Sequence, residues 1–290
     1  MRLVGLYREA ECSPGQHRSN DALLLDRVAG VLRAHGCEVE LKALPTAVPS
    51  RRPDALIFSM CQGRASLDLL TTWEDEGARV INTPRAALNT YRERLSAVME
   101  GASIPFPVTT LITTSKGSDA GVEVNGGMWL KRGDMHASVS GDVRWIDSAD
   151  ALRAGLKDFA ARGIVRAAVQ RHCEGDEIKF YGVTGGRFFQ WFYPEDNPRT
   201  VPPGAGRYSF DVLALEQLAE RAANAAGLDI FGGDVIVAPS GDLTLIDLND
   251  WPSFAPCRDR AADAIAGYLM GYVNVAWNPH LVSRSNESAV

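Results

Sequence analysis

The chain has 290 residues, of which 46% are hydrophobic and 23% charged, and this composition is typical of a soluble globular protein with two or three lobes. A formal net charge of −6 without a basic stripe argues against nucleic-acid binding, and the sequence has no apolar run of membrane-spanning length. Five cysteines without metal-ligand spacing, together with the lack of a signal-peptide segment, favour a reduced, cytoplasmic protein.

The first third of the chain alternates between apolar runs and a helical pattern. Strands are predicted at 3–7, 37–41, 54–60 and 79–84. A helix is predicted over 21–35, where apolar residues recur at helical spacing. Because such alternation favours a parallel sheet, we expect a small doubly wound α/β domain over residues 1–87.

The rest of the chain predicts a mixed α+β domain over 88–275. Strands are predicted at 128–131, 143–146, 166–170, 176–183 and 187–193, and helices at 86–100, 148–162, 210–226 and 258–272. We expect a lid subdomain at about 108–170, after a proline-rich linker. The polar, proline-rich segment 194–207 is predicted to be a loop over the site, and 276–290 a frayed tail.

One stretch, FGGDVIVAPSGDLTLIDLNDWPSF at 231–254, predicts a hairpin with polar residues on one face. If its loop is 239–242 and the residues flanking that loop pair, counting outward puts Asp234 opposite Asp247. Side chains alternate along strands, so Asp234, Asp247 and Asn249 are predicted to share a face. Two carboxylates and an amide carbonyl favour Mg²⁺ or Mn²⁺, whereas a solvated surface hairpin is the alternative.

Several motifs occur together with this hairpin and in a fixed order. They are INTP at 81–84, RERL at 92–95, WLK at 129–131 and VQRHCEGDE at 169–177. In this order they resemble the ATP-grasp superfamily, in particular the group of ribosomal-protein glutamate ligases and glutathione synthetase ATP-binding domains. The resemblance implies an ATP-grasp fold, in which two α+β lobes clamp ATP, preceded here by the small parallel α/β domain.

The resemblance also implies which residues meet the phosphates. Lys131 and Arg94 would do so as catalytic groups, with arginine standing where relatives usually have lysine. The loop after Lys131 is poor in glycine, so the hydroxyl of Ser138 or the imidazole of His136 would replace backbone amides. Lys179 would reach a phosphate or an anionic substrate. The alternatives are that His136 is a solvated loop histidine and that Lys179 is a surface lysine.

The motif at 169–177 resembles the segment that reads adenosine in this superfamily. Gln170 would take the place of the usual glutamate near the adenine amine. The backbone of Arg171, His172 and Cys173 would bond the edge of the base, and Glu177 would accept the ribose hydroxyls.

The function implied by the resemblance is ATP-dependent carboxylate–amine ligation through an acyl phosphate, with ATP and Mg²⁺ or Mn²⁺ as cofactors. The other substrate would be an unidentified small molecule or peptide, for which Arg199 and Arg207 are candidate contacts. Two alternatives stay open: a small-molecule kinase resembling the inositol trisphosphate kinases, favoured by His136, and a nucleotide-binding module without turnover. The oligomeric state is left open, a dimer included.

Overall fold

Three four-stranded sheets organise the chain, and they share no strand. The computed structural model describes residues 2–13, 16–44, 51–115, 122–124, 127–137, 139–194 and 207–272. Within those ranges, no helix combines the length and the apolar character that crossing a membrane requires.

Most elements lie close to the predicted segments. The strands are β1 (Arg2–Leu6), β2 (Glu38–Lys42), β3 (Leu56–Ser59), β4 (Arg79–Ile81), β5 (Thr109–Thr113), β6 (Met128–Arg132), β7 (Val143–Ile146), β8 (Arg166–Arg171), β9 (Asp176–Val183), β10 (Phe188–Phe192), β11 (Ile230–Val237) and β12 (Leu243–Asp250). The helices are α1 (Gln16–Ala34), α2 (Arg64–Asp75), α3 (Pro84–Asn89), α4 (Arg92–Gly101), α5 (Ala149–Ala161), α6 (Val212–Ala226) and α7 (Arg258–Gly271). β5 has no counterpart among the predicted strands, because its threonine-rich run follows directly on the proline-rich linker.

The amino-terminal sheet is parallel throughout, with strand order β2-β1-β3-β4. One face packs on α1 and α7 through a core that includes Leu25, Leu32 and Ile265. The other face packs on α2 and α3 through Leu70 and Leu88. Helices on both faces of a parallel sheet confirm the small α/β architecture expected for this part of the chain.

The segment predicted as one helix over 86–100 is two helices, so that expectation was wrong. Thr83 caps α3 by accepting a hydrogen bond from the amide of Ala86, and the proline after Thr83 suits a first helical turn. The helix then stops, and a second begins at Arg92. The break places Arg92 in the first turn of α4, a position that matters for the site.

The second sheet, which we call the lid sheet, has the order β5-β8-β6-β7 and is antiparallel. α5 covers one face, where Leu130, Leu156 and Val169 form a core. Because side chains alternate along a strand, the neighbours of these core residues project from the opposite face. Trp129 and Lys131 are therefore on the uncovered side of β6.

The third sheet, the large sheet, is antiparallel with the order β10-β9-β11-β12. Helices α4 and α6 pack on one face through residues such as Leu95, Leu218 and Leu248. The amphipathic pattern of α6 is the reason, since its apolar residues recur on one side. The other face of this sheet looks toward the lid sheet.

The hairpin of β11 and β12 has the expected pairing of Asp234 with Asp247, but not the expected turn. Val237, rather than the residue after it, pairs with Leu243, so the connection is one residue longer than predicted. A β-bulge between Asp234 and Val235 restores the register. A bulge places two residues of one strand opposite one residue of the other, and this shift returns the second carboxylate to the predicted position.

Candidate active site

A cavity of about 710 Å³ lies where the three sheets meet. We call it the cleft. The lid sheet contributes Trp129, Lys131 and Gln170 to its lining, and the large sheet contributes Asp234 and Asp247. The amino-terminal domain closes it with Arg8, Cys12, Ser13, Asp21 and Gln62. A space of this size is sufficient for a nucleotide-sized ligand.

The two carboxylates of the hairpin each have a cation within hydrogen-bonding distance. The ammonium of Lys179 lies 2.7 Å from Oδ1 of Asp234, and a guanidinium nitrogen of Arg92 lies 2.7 Å from Oδ2 of Asp247. Asp234 and Asp247 occupy facing positions on adjacent strands, where like charges would otherwise repel. The two cations neutralise that repulsion.

The predicted metal ligands are on one wall of the cleft, because Asp234, Asp247 and Asn249 all line it. Their oxygens are the hard ligands that Mg²⁺ and Mn²⁺ prefer, so the donor set fits such an ion. In the described part of the chain, no cluster of three or more histidine, cysteine, aspartate or glutamate residues could hold a metal. The set therefore depends on the amide of Asn249 as its third ligand.

The ionisation of these groups follows from burial and from their partners. Burial alone would raise the pKa of Asp247, but Arg92 and Lys131 hold it below its ordinary value. Burial alone would lower the pKa of Lys179, but Asp234 and Glu177 raise it above its ordinary value. Asp247 and Lys179 are therefore both charged at neutral pH.

Lys131 is buried and lines the cleft. Its ammonium donates to the carbonyl of Ile246, 3.4 Å away. Burial lowers the pKa of Lys131 to about 8, although the negative charge of Asp247 opposes this effect. The lysine predicted from the sequence is thus buried in the protein and has an anionic neighbour, Asp247.

Arg94 does not line the cleft, whereas Arg92 does. Residues two apart on a helix point about 200° away from each other, because each residue turns the helix by roughly 100°. Arg92 is buried and also donates to the carbonyl of Met135 at 3.1 Å. The motif RERL did not reveal Arg92 as a residue of the cleft, because the position of the helix break, and hence the face of α4, could not be derived from it.

His136 lines the cleft and is partly buried, unlike the solvated loop histidine considered as its alternative. Its Nε2 lies 3.2 Å from the hydroxyl of Thr90. Its Nδ1 is buried and has no hydrogen-bond partner among the described residues. Burial lowers the pKa of His136 to about 4, with Asp247 opposing, so the imidazole is neutral at pH 7.

The segment predicted to read adenosine borders the same cleft. Gln170, Arg171, His172 and Cys173 all line it. Gln170 is buried and its amide nitrogen lies 3.4 Å from the hydroxyl of Thr109. Glu177, the predicted ribose acceptor, also lines the cleft, 3.5 Å from Lys179.

The remaining predicted residues are elsewhere. Ser138 and Arg199 lie outside the described residues. Arg207 is exposed, does not line the cleft, and stacks its guanidinium 3.6 Å from the centroid of the Tyr193 ring. The tail predicted at 276–290 is likewise outside the described part of the chain.

A buried carboxyl group that the sequence did not indicate joins the amino-terminal domain to the large sheet at the border of the cleft. Asp250 accepts a hydrogen bond from the amide of Asn82 at 2.6 Å, and burial raises its pKa to about 7. Arg8 forms an ion pair with Asp21 at 3.0 Å and donates to the carbonyl of Trp251. These residues are far apart in the sequence, so no local pattern reveals that they meet.

A second cavity of about 580 Å³ adjoins the cleft at the carboxyl end of the parallel strands. The two cavities share Arg8, Ser13 and Asp21 in their linings. Ligands of open α/β sheets commonly bind at this end of the strands. The second cavity is thus a neighbouring space in which a second ligand would lie beside the cleft.

The chain is similar to known proteins in its fold, whereas the sequence comparisons give no match. No family model matches the chain, and no curated protein matches its sequence. A RimK-domain ATP-grasp protein from Sphaerobacter thermophilus is 19% identical with a TM-score of 0.66, covering 93% of this chain and 100% of its own.

Two further solved structures are similar over comparable lengths. A D-Ala:D-Ser ligase from Enterococcus faecalis is 13% identical with a TM-score of 0.68, covering 92% of this chain and 99% of its own. A D-cycloserine synthetase is 14% identical with a TM-score of 0.64, covering 93% of this chain and 100% of its own. With its small parallel domain, lid sheet and large sheet, the chain has the ATP-grasp fold.

Proposed function

We propose that the protein is an ATP-dependent ligase that joins a carboxylate to an amine through an acyl phosphate. The observation that carries this proposal is the cleft, where two facing carboxylates and the cations Lys131, Arg92 and Lys179 converge. Phosphoryl transfer depends on alignment and charge neutralisation more than on a general base. The ligases among the structural neighbours support the same reaction class.

The metal would be held by Asp234, Asp247 and Asn249 on the wall of the large sheet. When bound, Mg²⁺ or Mn²⁺ neutralises charge on the phosphates. Lys179 and Arg92, which form ion pairs with the two carboxylates, would hold them in place for the metal. Lys131, on the opposite wall, is the residue that we assign to the phosphates themselves.

The nucleoside would lie toward the segment 170–173. We assign base recognition to Gln170 and to the backbone of the three residues after it, and ribose binding to Glu177. The lid sheet carries both Gln170 and Lys131, so its movement would bring base and phosphate contacts together.

The substrate other than ATP, a small molecule or a peptide, would enter through the second cavity. In the first step, an oxygen of the substrate carboxylate attacks the terminal phosphorus, and the bond to ADP breaks. In the second step, the amine nitrogen attacks the acyl carbon, releasing phosphate and the proton of the amine. Arg8 and Ser13 line both cavities and would therefore lie between the two substrates.

A small-molecule kinase is the second candidate, because His136 lines the cleft and its Nδ1 has no hydrogen-bond partner within the described part of the chain. In a kinase this imidazole would contact the transferring phosphoryl group, and its loss would lower the maximal rate by about 10²- to 10³-fold. In the ligase, cations dominate the step, and His136→Ala is expected to cost about tenfold or less.

The experiment that separates the candidates is ADP formation with MgATP and a panel of acceptors. The ligase requires a carboxylate together with an added amine, and its product contains a new amide. Phosphorylation of a hydroxyl compound without an amine would identify a kinase. Tight MgATP binding without ADP formation under any condition would identify a nucleotide-binding module.

A further inference from the structure

The loop between β6 and β7 is docked on the junction of α3 and α4. The amide of Glu93 donates to the carbonyl of Gly133 at 3.0 Å, and Arg92 donates to the carbonyl of Met135 at 3.1 Å. The side chain of Met135 packs against the apolar cluster between α2, α3 and the parallel sheet. Two hydrogen bonds and one apolar contact therefore fix the place of the next residue, His136.

The contact with Thr90 determines which ring nitrogen of His136 carries a proton. The hydroxyl of Thr90 has one hydrogen, which it donates to the carbonyl of Ala87 at 2.7 Å. Toward Nε2 of His136, 3.2 Å away, this hydroxyl can therefore only accept. Burial lowers the pKa of His136 to about 4, so the ring is neutral at pH 7 and its one N–H hydrogen lies on Nε2. Nδ1 is thus a hydrogen-bond acceptor.

This acceptor is buried and has no hydrogen-bond partner in the described part of the chain. A buried acceptor without a partner is unfavourable, so a group that binds beside it is expected to donate to it. The two ring nitrogens point to different sides of the imidazole, so Nδ1 is directed away from Thr90. Thr90 does not line the cleft, whereas His136 does. The donor would therefore belong to a ligand of the cleft.

The chemistry of the reactants identifies this donor. The phosphates of ATP and the substrate carboxylate are ionised at neutral pH, and their oxygens only accept hydrogen bonds. Of the three groups that react, the amine alone has hydrogens to donate. A contact of His136 with a phosphoryl oxygen, as in the kinase, would need the proton on Nδ1 instead.

We propose that His136 binds the amine substrate by accepting one of its N–H hydrogens at Nδ1, and that Thr90 is the positioning residue that holds the imidazole in the required tautomer. This proposal rests on the ligase function proposed above and assigns the contact of its nucleophile. An uncharged primary amine has two N–H hydrogens and one lone pair. Donating one hydrogen to His136 leaves the lone pair free to attack the acyl carbon.

The first part of the test is long-range ¹H–¹⁵N NMR of the ¹⁵N-labelled protein at about pH 8, where an ordinary histidine is neutral. His136 should carry its proton on Nε2. His35 is an internal control, because its Nδ1 lies 2.9 Å from the carbonyl of Val31, which can only accept, and its proton should be on Nδ1. A proton on Nδ1 of His136 would overturn the proposal.

The second part is a titration of the complex with Mg²⁺ and a nonhydrolysable ATP analogue, followed at Nδ1 of His136. Hydroxylamine is the probe, since it is an uncharged amine at this pH. It should shift the Nδ1 resonance because a hydrogen bond forms there, whereas inorganic phosphate should not. A shift with phosphate, or no shift with hydroxylamine, would contradict the proposal but leave the proposed function standing if the analogue binds. Failure to bind the analogue would overturn the proposed function as well.

Variants separate this contact from a merely structural role. With hydroxylamine and a carboxylate that supports ADP formation, the KM for hydroxylamine should rise about tenfold in His136→Ala, and the KM for MgATP should change less than about threefold. Thr90→Val removes the acceptor for Nε2 and should raise the same KM, whereas Thr90→Ser keeps the hydroxyl and should restore the wild-type value. An unchanged KM for hydroxylamine in both His136→Ala and Thr90→Val would refute the assignment.

Discussion

Asp247 has two roles, and a single substitution tests both of them. It is buried and paired with Arg92, and it is a predicted metal ligand. Asp247→Asn should abolish metal-dependent turnover and also lower the free energy of unfolding by about 3 kcal/mol, because it leaves a buried guanidinium without its counter-charge. Denaturant titration and ADP formation measure the two effects.

The control for this substitution is Asp242→Asn, in the exposed region of the same hairpin turn. Asp242 accepts a hydrogen bond from the hydroxyl of Ser240 and does not line the cleft. Both turnover and stability should change little. Retention of wild-type turnover in Asp247→Asn would contradict the metal assignment.

The two arginines of the motif RERL offer a matched pair of substitutions. Arg92→Gln should reduce turnover by about a hundredfold or more, because it removes a cation of the cleft and leaves Asp247 unpaired. Arg94→Gln should change turnover less than about threefold, because Arg94 lies off the cleft. The comparison is a steady-state assay of both variants at saturating MgATP, and the opposite ranking would restore Arg94 as the phosphate contact.

At the scale of elements, the loop between β6 and β7 is held by Asp142. This side chain is fully buried, forms ion pairs with Arg132 and Arg162, and accepts a hydrogen bond from the amide of Val139 at 3.1 Å. The loop carries His136 into the cleft. Its conformation therefore depends on one buried carboxylate.

Asp142→Ala should free this loop. Without nucleotide, hydrogen exchange at residues 133–137 and 139–142 should accelerate about tenfold or more, because the ion pairs of a buried carboxylate are lost. Exchange in β1 and β3 should not change. Asp150→Ala removes an exposed ion pair with Arg153 and serves as the control. Equal exchange in both variants would show that Asp142 does not hold the loop.

The hairpin illustrates which elements could be predicted from the sequence. Asp234 and Asp247 could be placed opposite each other because strand alternation and a turn signal are local features. The longer turn and the bulge could not be predicted, because they compensate each other and depend on packing across the sheet. The break before Arg92 was missed for a similar reason, since residues on both sides of it favour a helix.

At the scale of the whole molecule, the last described helix closes the first domain. α7 packs with α1 on one face of the amino-terminal sheet, so the two ends of the described chain share a core. At the border of the cleft, the side-chain amide of Asn82 donates to Asp250, and Arg8 donates to the carbonyl of Trp251. The amino-terminal domain and the large sheet are therefore expected to unfold together.

Asn82→Ala tests this coupling. It removes the donor to Asp250 and an acceptor for the amides of Asp229 and Ile230. Since buried polar groups lose their partners, thermal unfolding should occur at a lower temperature and remain a single transition. Asn89→Ala, which removes one bond to the carbonyl of Ala226, should have a smaller effect. Two separate transitions in wild type would contradict the shared core.

The cleft as a site for ATP and a metal is the central claim, and binding of a nonhydrolysable ATP analogue tests it without knowledge of the acceptor. Calorimetry with Mg²⁺ should show one bound nucleotide per chain, at least tenfold weaker binding without the metal, and weaker binding in Lys131→Ala because the buried cation is lost. Absence of binding, or equal affinity with and without Mg²⁺ and in Lys131→Ala, would contradict the account.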